Sequence, residues 1–523
     1  MSEKLGRATA VISVMTVISR ILGLVRDKGI AYVFGASWVT DAFFVAFRIP
    51  NMLRQLLAEG SLSAAFIPVF SEVEQKRSRA EAWLLGSAAL NVLAITIVVI
   101  CVLGIVFANP LVQLLTLQFG PETEQFLLTV ALTRLLFPFL LFVGLAAVVM
   151  GMLNTLRHFA MPALAPALLN LAMIAATAVA AWFYPSSQRD KVFALAAGVL
   201  VGGVLQLALQ IPPLLKLGYR YRAVLRHPAL KRVFLLMIPG MFGLAVAEFD
   251  LVVAQMLAWH LGEGVVSAFF WAQRLMQLPL GIFGIAIATA LLPTLAAQAV
   301  NLRMEEFKRS LAEGTRLMLV VQLPATAGMI VLAPAIIRVL LQGGAFSAAD
   351  AEITTQALIL LTLGICAFAG AKLLTQAFYA LQDMVTPVKI GAASSLLCVA
   401  LNLLLIVPLG YRALALSATL ASLFNWLALF ILLRRRLGQL RGREITRAAV
   451  KMLAATLAMT VLLALLLYAA DPAAQRSWPA AALLLAAYIV LGGAAYLAAA
   501  LALRVQEAHT LVARVRALAG PRH

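Results

Sequence analysis

A cluster of charged side chains lies between residues 19 and 59, in sequence that is otherwise apolar. It includes Arg20, Arg26, Arg48 and Arg54, in a chain that is 63% hydrophobic. One arginine at the centre of a bilayer costs about 2.5–3.5 kcal/mol, so four facing lipid would cost about 10–14 kcal/mol. A cost of that size is comparable to the whole stability of a domain. We therefore expect the four guanidinium groups to face a hydrated cavity inside a helix bundle.

The balance of charge in this cluster favours an anionic ligand. The carboxylates within it are Asp27, Asp41 and Glu59, fewer than the cations. For Asp27, an ion pair with Arg26 or Lys28 and a functional role are both open. The planar guanidinium group can bind two phosphate oxygens at once, so phosphate is the anion that arginine suits best. For each arginine, the alternative is a purely structural role in holding helices together.

Helical spacing places several of these polar residues on common faces. Residues seven apart lie on one face, so Asp41 and Arg48 share a stripe. Residues three apart are adjacent on a helix, which brings Asn51 next to Arg54. Lys372, in a later apolar segment, adds another cation. These positions predict a polar surface built from several helices rather than from one loop.

The elements that must position these residues are predicted to be membrane-spanning helices. A helix needs about 20 mostly apolar residues to cross the hydrocarbon core. Hydropathy therefore predicts an all-α polytopic membrane protein with 14 transmembrane helices. The predicted spans are 8–34, 40–71, 82–108, 123–153, 161–183, 192–214, 233–259, 264–297, 309–333, 351–380, 387–408, 412–434, 447–470 and 479–503.

The distribution of lysine and arginine between the predicted loops indicates the orientation. Most basic residues outside the spans follow even-numbered spans. The basic residues in loops after odd-numbered spans are Arg189, Lys191, Arg338, Arg412 and Arg476. Because cytoplasmic loops carry the excess of positive charge, both termini are predicted to be cytoplasmic. The formal net charge of +19 is interpreted in the same way, so no nucleic-acid partner is expected.

A weak internal repeat predicts two related halves. The segment DAFFVAFRIPN from Asp41 matches SAFFWAQRLMQ from Ser267 at an offset of 226, which makes Arg48 and Arg274 equivalent. Six helices separate the copies, so two six-helix lobes should be related by a pseudo-two-fold axis along the membrane normal. Two C-terminal helices fall outside the repeat.

This repeat predicts four regions in the chain. They are an N-terminal lobe over 1–218, a cytoplasmic basic segment over 219–232, a C-terminal lobe over 233–436, and two added helices with a cytoplasmic tail over 437–523. The basic segment is too short and too charged to cross a membrane. It is predicted to be either an interfacial helix or loop, or a plain solvated linker.

Several chemistries find no support in the sequence. The five histidines are scattered, and the three cysteines lie in apolar runs, so neither a metal site nor a disulfide framework is predicted. No cofactor is expected, and a coupling ion is left open. A membrane-bound glycosyltransferase or phosphatase would need clustered carboxylates or a histidine nucleophile near the interface, and neither pattern is present. The sequence favours a transporter over an enzyme.

Four stretches carry a resemblance to a known family. They are SRILGLVRD, TDAFFVAFRIPNMLRQLLAEGSLSAAFIPVFSE, AQRLMQLPLGIFGIAIATALLPTL and QDMVTPVKI. The chain resembles the MurJ (MviN) lipid II flippases of the multidrug/oligosaccharidyl-lipid/polysaccharide exporter superfamily. This resemblance implies transport of the undecaprenyl-pyrophosphate-linked peptidoglycan precursor from the cytoplasmic to the periplasmic leaflet by alternating access. It also implies a multi-pass protein of the bacterial inner membrane.

The resemblance also implies which residues bind the substrate. The family's essential arginines and polar cavity positions correspond to Arg20, Arg26, Arg54, Arg274, Ser19, Asp41, Asn51 and Ser267, and we add Arg48 and Lys372 from charge and spacing. Spans thirteen and fourteen are implied to form a groove for the polyprenyl tail. Gln277 is a departure, because some relatives carry glutamate there. Expected partners are the undecaprenyl-linked substrate and membrane lipids, with a monomeric protein and contacts to cell-wall synthesis proteins left open.

Two other transport functions remain as alternatives. One is a flippase for another polyprenyl-linked glycan, which only substrate assays distinguish. The other is a drug or cation antiporter of the same superfamily. An antiporter of cations would need an acidic cavity, and the surplus of arginine argues against it.

Overall fold

The computed structural model describes residues 2–56, 61–119, 122–184, 187–475 and 477–519, so Glu59 lies outside the described residues. Within these ranges the chain is built from helices, and the β-type pairing is limited to an isolated bridge between Gly343 and Phe346. The predicted all-α class is confirmed. The chain divides into two compact units, one with residues 1–267 and 343–347, the other with 268–342 and 348–523.

In the described residues, the first unit contains ten α-helices. They are α1 (Ser2–Phe34), α2 (Trp38–Arg54), α3 (Ser61–Lys76), α4 (Arg79–Val106), α5 (Ala108–Thr116), α6 (Glu124–Leu136), α7 (Phe139–Thr155), α8 (Ala160–Phe183), α9 (Gln188–Lys216) and α10 (Leu230–Ala258). Hydroxyl side chains fix several starts: Ser78, Thr123 and Ser187 each accept a hydrogen bond from a backbone N–H in the first turn. Such caps satisfy donors that have no partner within the helix.

The core of the first unit lies where α3, α4 and α7 meet. Phe66 and Phe70 of α3 are fully buried there, together with Leu85 of α4 and Met152 of α7. Gly86 allows α4 to approach α7, because a Cβ at Gly86 would lie 2.4 Å from the Met152 sulfur. Small residues at such contacts let transmembrane helices pack closely.

The second unit contains the remaining helices. They are α11 (Val265–Pro279), whose first residues belong to the first unit, then α12 (Ile285–Val300), α13 (Met304–Leu340), α14 (Ala348–Thr362), α15 (Ile365–Ala380), α16 (Val385–Leu409), α17 (Arg412–Leu437), α18 (Gly442–Ala469), α19 (Trp478–Ala502) and α20 (Gln506–Ala519). A π-helical segment, Leu280–Gly284, joins α11 to α12 directly after Pro279. Proline removes a backbone donor, which explains the irregular turn there.

The last helices of the chain pack on the long helix α13. Val320 and Leu332 of α13 form a buried cluster with Met459 and Leu463 of α18 and Tyr488 of α19. A polar tether supports the same packing: Trp478 donates from Nε1 to the Val339 carbonyl oxygen at 3.0 Å. The two helices predicted outside the repeat are thus firmly attached to the second unit.

Nine helical segments of the described chain are long and apolar enough to cross a membrane. They are Arg79–Val106, Glu124–Thr155, Ala160–Phe183, Gln188–Lys216, Met304–Leu340, Val385–Leu409, Arg412–Leu437, Gly442–Ala474 and Trp478–Ala502. The pair α14 and α15, bent by 42°, makes a tenth if it counts as one span. The other predicted spans fall on α1, α2–α3, α10 and α11–α12, which carry most of the charged or polar candidates. Fourteen spans therefore remain a prediction.

The basic segment 219–232 is an extended strap rather than a helix up to Pro228. The Tyr219 hydroxyl lies 2.9 Å from the Ser87 hydroxyl, and Asn91 of α4 donates from Nδ2 to the carbonyl oxygens of Arg222 and Val224. Burial raises the pKa of the Tyr219 phenol. Because α4 binds two of its carbonyl oxygens and the Tyr219 hydroxyl, the strap is a fixed part of the first unit and not a free linker.

Candidate functional site

Arg26 joins α1 to α8 through a nearly buried polar network. Its Nη2 lies 2.6 Å from Asp27 Oδ1, and its Nη1 donates to Asn170 Oδ1 at 2.9 Å. Asn170 in turn donates from Nδ2 to the Ser19 carbonyl oxygen at 2.9 Å. Of the roles left open for Asp27, the structure shows the ion pair with Arg26. Asn170 is not among the residues predicted from the sequence, although an amide inside an apolar span is itself a signal of an internal polar contact.

Arg20, on the same helix, has a different environment. Its side chain is exposed, and no described residue gives it a hydrogen bond or an ion pair. Ser19 is half-buried and contributes its carbonyl oxygen to the Asn170 contact. Arg26, whose charge the protein neutralises, therefore lies about 1.7 helical turns from Arg20, which has no described counter-charge.

Asp41 lies in the first turn of α2 and is 1% exposed. Its Oδ2 accepts from the Gly264 backbone N–H at 2.8 Å, and its Oδ1 accepts from the Ser267 backbone N–H at 2.8 Å. The Ser267 hydroxyl also donates to Oδ1 at 2.5 Å. The carboxylate thus satisfies orphan donors at the start of α11, where the positive end of the helix dipole favours an anion. In this conformation Asp41 and Ser267 bind each other.

The loops around Asp41 interlock through glycines that no other residue could replace easily. Ala345 donates its N–H to the Tyr32 carbonyl oxygen at 2.8 Å. Gly35 has φ +66°, and a Cβ there would lie 2.4 Å from the Ala345 oxygen. Gly264 has φ +79°, and a Cβ there would lie 2.3 Å from the Ala36 oxygen. The backbone segments that follow α1 and α10 therefore pack in direct contact with neighbouring backbone.

Arg48 of α2 forms a buried ion pair with Glu248 of α10, with Nη2 and Oε2 3.2 Å apart. The two side chains are 14% and 11% exposed. Removing such charges from water is costly, so each stabilises the other mainly by avoiding an unpaired buried charge. The sequence placed Arg48 in the site but did not pair it with Glu248, because 200 residues separate them.

Asn51 and Arg54 lie at the C-terminal end of α2 and are half-buried. Arg54 donates from Nε to Asn51 Oδ1 at 3.2 Å, as their spacing of three predicts. Amide oxygens accept without neutralising the cation. This contact orients the guanidinium group and keeps its charge.

The second unit supplies the remaining predicted cations. Arg274 is half-buried on α11, and Lys372 is exposed on α15, downstream of the bend at residues 363–364. Gln277 is exposed one turn after Arg274. Among the described residues no group of three or more His, Cys, Asp and Glu side chains could hold a metal ion.

Comparison with solved structures defines the class of fold. A structure described as a lipid II flippase MurJ in an inward closed conformation superposes with a TM-score of 0.76, at 24% identity, covering 94% of this chain and 97% of that one. An inward-facing multidrug resistance MATE transporter of the MOP superfamily gives a TM-score of 0.66 at 14% identity, covering 83% and 99%. The fold is that of the transporters of this superfamily.

Comparison of sequences defines the family. The family profile described as lipid II flippase MurJ matches residues 30–489. A lipid II flippase MurJ from Burkholderia cenocepacia is 37% identical over 436 residues, 82% of this chain and 84% of that protein. A probable lipid II flippase MurJ from Vibrio cholerae is 33% identical over 518 residues, 97% of each. The chain belongs to the MurJ family, as the sequence motifs predicted, and is a multi-pass inner-membrane transporter rather than an enzyme.

Proposed function

We propose that this protein is a lipid II flippase. It moves the undecaprenyl-pyrophosphate-linked peptidoglycan precursor from the cytoplasmic to the periplasmic leaflet by alternating access, without making or breaking a bond. The observation that carries the proposal is the family match over residues 30–489, supported by relatives that bear this name over most of their length. The arrangement of arginines adds a chemical reason, since the substrate headgroup carries two phosphates.

The proposed topology has fourteen spans with both termini in the cytoplasm and two six-helix lobes. The excess of lysine and arginine in the loops after even-numbered spans supports the placement of both termini in the cytoplasm. Arg20, Arg48, Glu248 and Arg274 lie on α1, α2, α10 and α11, and charged side chains on membrane-spanning helices are expected to face a hydrated cavity rather than lipid. Helices α18 and α19 are the added pair, with the polyprenyl tail in contact with them.

The arginines divide into two roles in this proposal. Arg20 is exposed and has no described partner, so it contacts the pyrophosphate directly. Arg26 is held by Asp27 and Asn170, so it serves first to position α1 against α8 and binds the headgroup with its remaining donors. Arg54, oriented by Asn51, and Arg274 are the other two arginines proposed to bind the headgroup.

Asp41 and Ser267 take part by changing partners. On the proposed topology the start of α2 and the start of α11 lie on the periplasmic side. The three hydrogen bonds that Asp41 accepts hold the loops there together. Release of the headgroup to the periplasm requires these bonds to break, after which both side chains become available to the sugar hydroxyls.

Complementation tests the proposal directly. A bacterium depleted of its own flippase is supplied with the wild type, Arg26→Ala, Arg54→Ala or Arg274→Ala, with membrane abundance followed by immunoblot. We expect growth with the wild type and loss of growth with each variant at normal abundance. Arg435→Ala, an exposed arginine of α17 outside the site, is the matched control and should grow. Failure of the wild type to support growth would contradict the assigned substrate.

A further inference from the structure

A second cluster of cations lies away from the proposed substrate site, where α13, α18 and α20 meet in the second unit. Arg316 of α13 donates from Nε to Glu507 Oε1 of α20 at 2.5 Å, and its Nη1 lies 3.2 Å from Glu444 Oε2 of α18. Arg441 also contacts Glu444, at 3.2 Å. These contacts join the three helices and engage both carboxylates.

The same helices enclose a pocket of about 390 Å³ with further cations. Its lining includes Arg316, Arg447, Lys451 and Arg504 beside the carboxylates of Glu444 and Glu507. In the described part of the chain, no acidic side chain pairs with Arg447, Lys451 or Arg504, and all three are exposed. The pocket therefore keeps a surplus of positive charge, which an anion would neutralise.

α18 also carries an exposed apolar stripe that begins one turn after the pocket residue Arg447. Val450, Leu453, Leu457, Val461 and Leu465 follow one another at spacings of three or four, and each is exposed. Residues at these spacings lie on one face of a helix. Val450 lies three residues after Arg447, so the stripe begins at the pocket. A cationic pocket that continues into a lipid-facing stripe matches a molecule with an anionic head and acyl chains.

We propose that this α13–α18–α20 pocket binds an anionic phospholipid, with its phosphodiester held by Arg447, Lys451 and Arg504 and its acyl chains on the α18 stripe. On the proposed topology the pocket lies at the cytoplasmic leaflet, where basic pockets between helices bind lipid headgroups. Guanidinium groups bind phosphate oxygens bidentately, and the lysine adds a point charge. The bound lipid would fix α18 and α20 against α13. The site is independent of the central arginines.

The test measures lipid binding to the purified full-length protein. Delipidated protein in neutral detergent is titrated with phosphatidylglycerol, and the Kd of the first bound lipid is read by native mass spectrometry. The triple variant Arg447→Gln/Lys451→Gln/Arg504→Gln should bind at least tenfold more weakly. The matched control Arg220→Gln/Arg222→Gln/Arg226→Gln removes three exposed cations from the strap and should change the Kd less than twofold. Equal Kd values for all three proteins would overturn the proposal.

Competing ligands distinguish the possible sources of phosphate. Phosphatidylcholine has the same phosphodiester but no net charge, and its binding should not respond to the triple substitution. Inorganic phosphate at millimolar concentration should leave phosphatidylglycerol bound; full displacement would make the pocket a free-anion site and contradict the proposal.

Undecaprenyl pyrophosphate binding should not change in the triple variant, since a selective loss there would assign the pocket to the substrate. If the triple variant unfolds, Lys451→Glu alone should weaken phosphatidylglycerol binding at least threefold.

Discussion

The arginines of the first unit and the basic pocket of the second unit balance their charges in different ways. In the first unit Arg26 and Arg48 are nearly buried, and each has a carboxylate within 3.2 Å. In the second unit Arg447 and Lys451 are exposed and have no described acidic partner. The difference follows from hydration, because water screens a surface charge whereas a buried charge needs a protein partner. A buried arginine therefore needs a carboxylate partner, whereas an exposed cation can stay unpaired and remain available to a ligand.

The largest stability effect is expected from the Arg48–Glu248 pair. Glu248→Ala leaves a buried guanidinium group without its counter-charge, which typically costs about 3–5 kcal/mol. The control is Arg447→Ala, where an exposed cation without a described partner is removed and a change below about 0.5 kcal/mol is expected. Thermal unfolding of delipidated protein in detergent measures both variants, so that no lipid bound at Arg447 contributes to the stability. A cost at Glu248 no larger than that at Arg447 would remove the distinction between the two regions.

A double substitution sharpens the same point. Arg48→Met/Glu248→Met removes both charges and retains much of the volume, so most of the stability lost in Glu248→Ala should return. If the double substitution cost as much stability as the sum of Arg48→Met and Glu248→Met measured separately, the pairing would be contradicted.

The next largest loss of stability is expected when a hydrogen bond to Asp41 is removed. Ser267→Ala removes one hydrogen bond to a buried carboxylate, and bonds to charged groups are worth about 1.5–3 kcal/mol. Because the bond holds the loops in the observed conformation, the variant should also make Cys substituted for Ala36 react faster with an impermeant maleimide added from outside. Thr40→Ala is the control, since its hydroxyl donates to the Gly35 carbonyl oxygen and not to Asp41. Unchanged labelling of Ser267→Ala would show that this bond does not govern access.

The smallest loss of stability is expected from a substitution in the loop before α16. Asp383 accepts from the Thr386 N–H at 3.0 Å and lies 3.0 Å from Arg436 Nη1. The Thr386 N–H, and then the Thr386 hydroxyl and Arg436, lower the pKa of Asp383. Asp383→Ala should cost about 0.5–2 kcal/mol, as for other residues that bind donors at a helix start.

The pH dependence of this contribution has a defined sign. The folded-state pKa of Asp383 lies below the unfolded value of about 3.9, so its stabilisation is complete above that pH and is lost as the pH falls through the folded pKa. The difference in melting temperature between wild type and Asp383→Ala should therefore narrow only in that acidic range. If the difference in melting temperature instead narrowed near neutral pH, a titrating group other than Asp383 would be responsible.

The sequence predicted those features that depend on local spacing. Asn51 and Arg54, three apart on one helix, are in contact as predicted, and the ion pair of Asp27 with Arg26, one of the roles left open, is present. The helical class and the family also follow from the composition and the motifs. What the sequence could not supply were the contacts between distant segments, because helical periodicity shows which face is polar but not which helix packs against it.

Two elements illustrate this limit. Asn170 binds Arg26 across 144 residues, and the Gly264 N–H binds Asp41 across 223 residues. The strap 219–232 was left open between helix, loop and linker, since its charges give no periodic signal. Its conformation is decided by Ser87 and Asn91 of α4, whose side chains satisfy it.

The central claim is that guanidinium groups hold the pyrophosphate headgroup, and it is tested most directly by measuring lipid II export. Flippase-depleted cells expressing the wild type, Arg274→Lys or Arg274→Ala at equal abundance are assayed for periplasmic lipid II with an external cleaving enzyme. We predict export with the wild type, at least a tenfold reduction with Arg274→Lys, which keeps the charge but loses the bidentate fork, and none with Arg274→Ala. Export by Arg274→Ala at the wild-type rate would contradict the account.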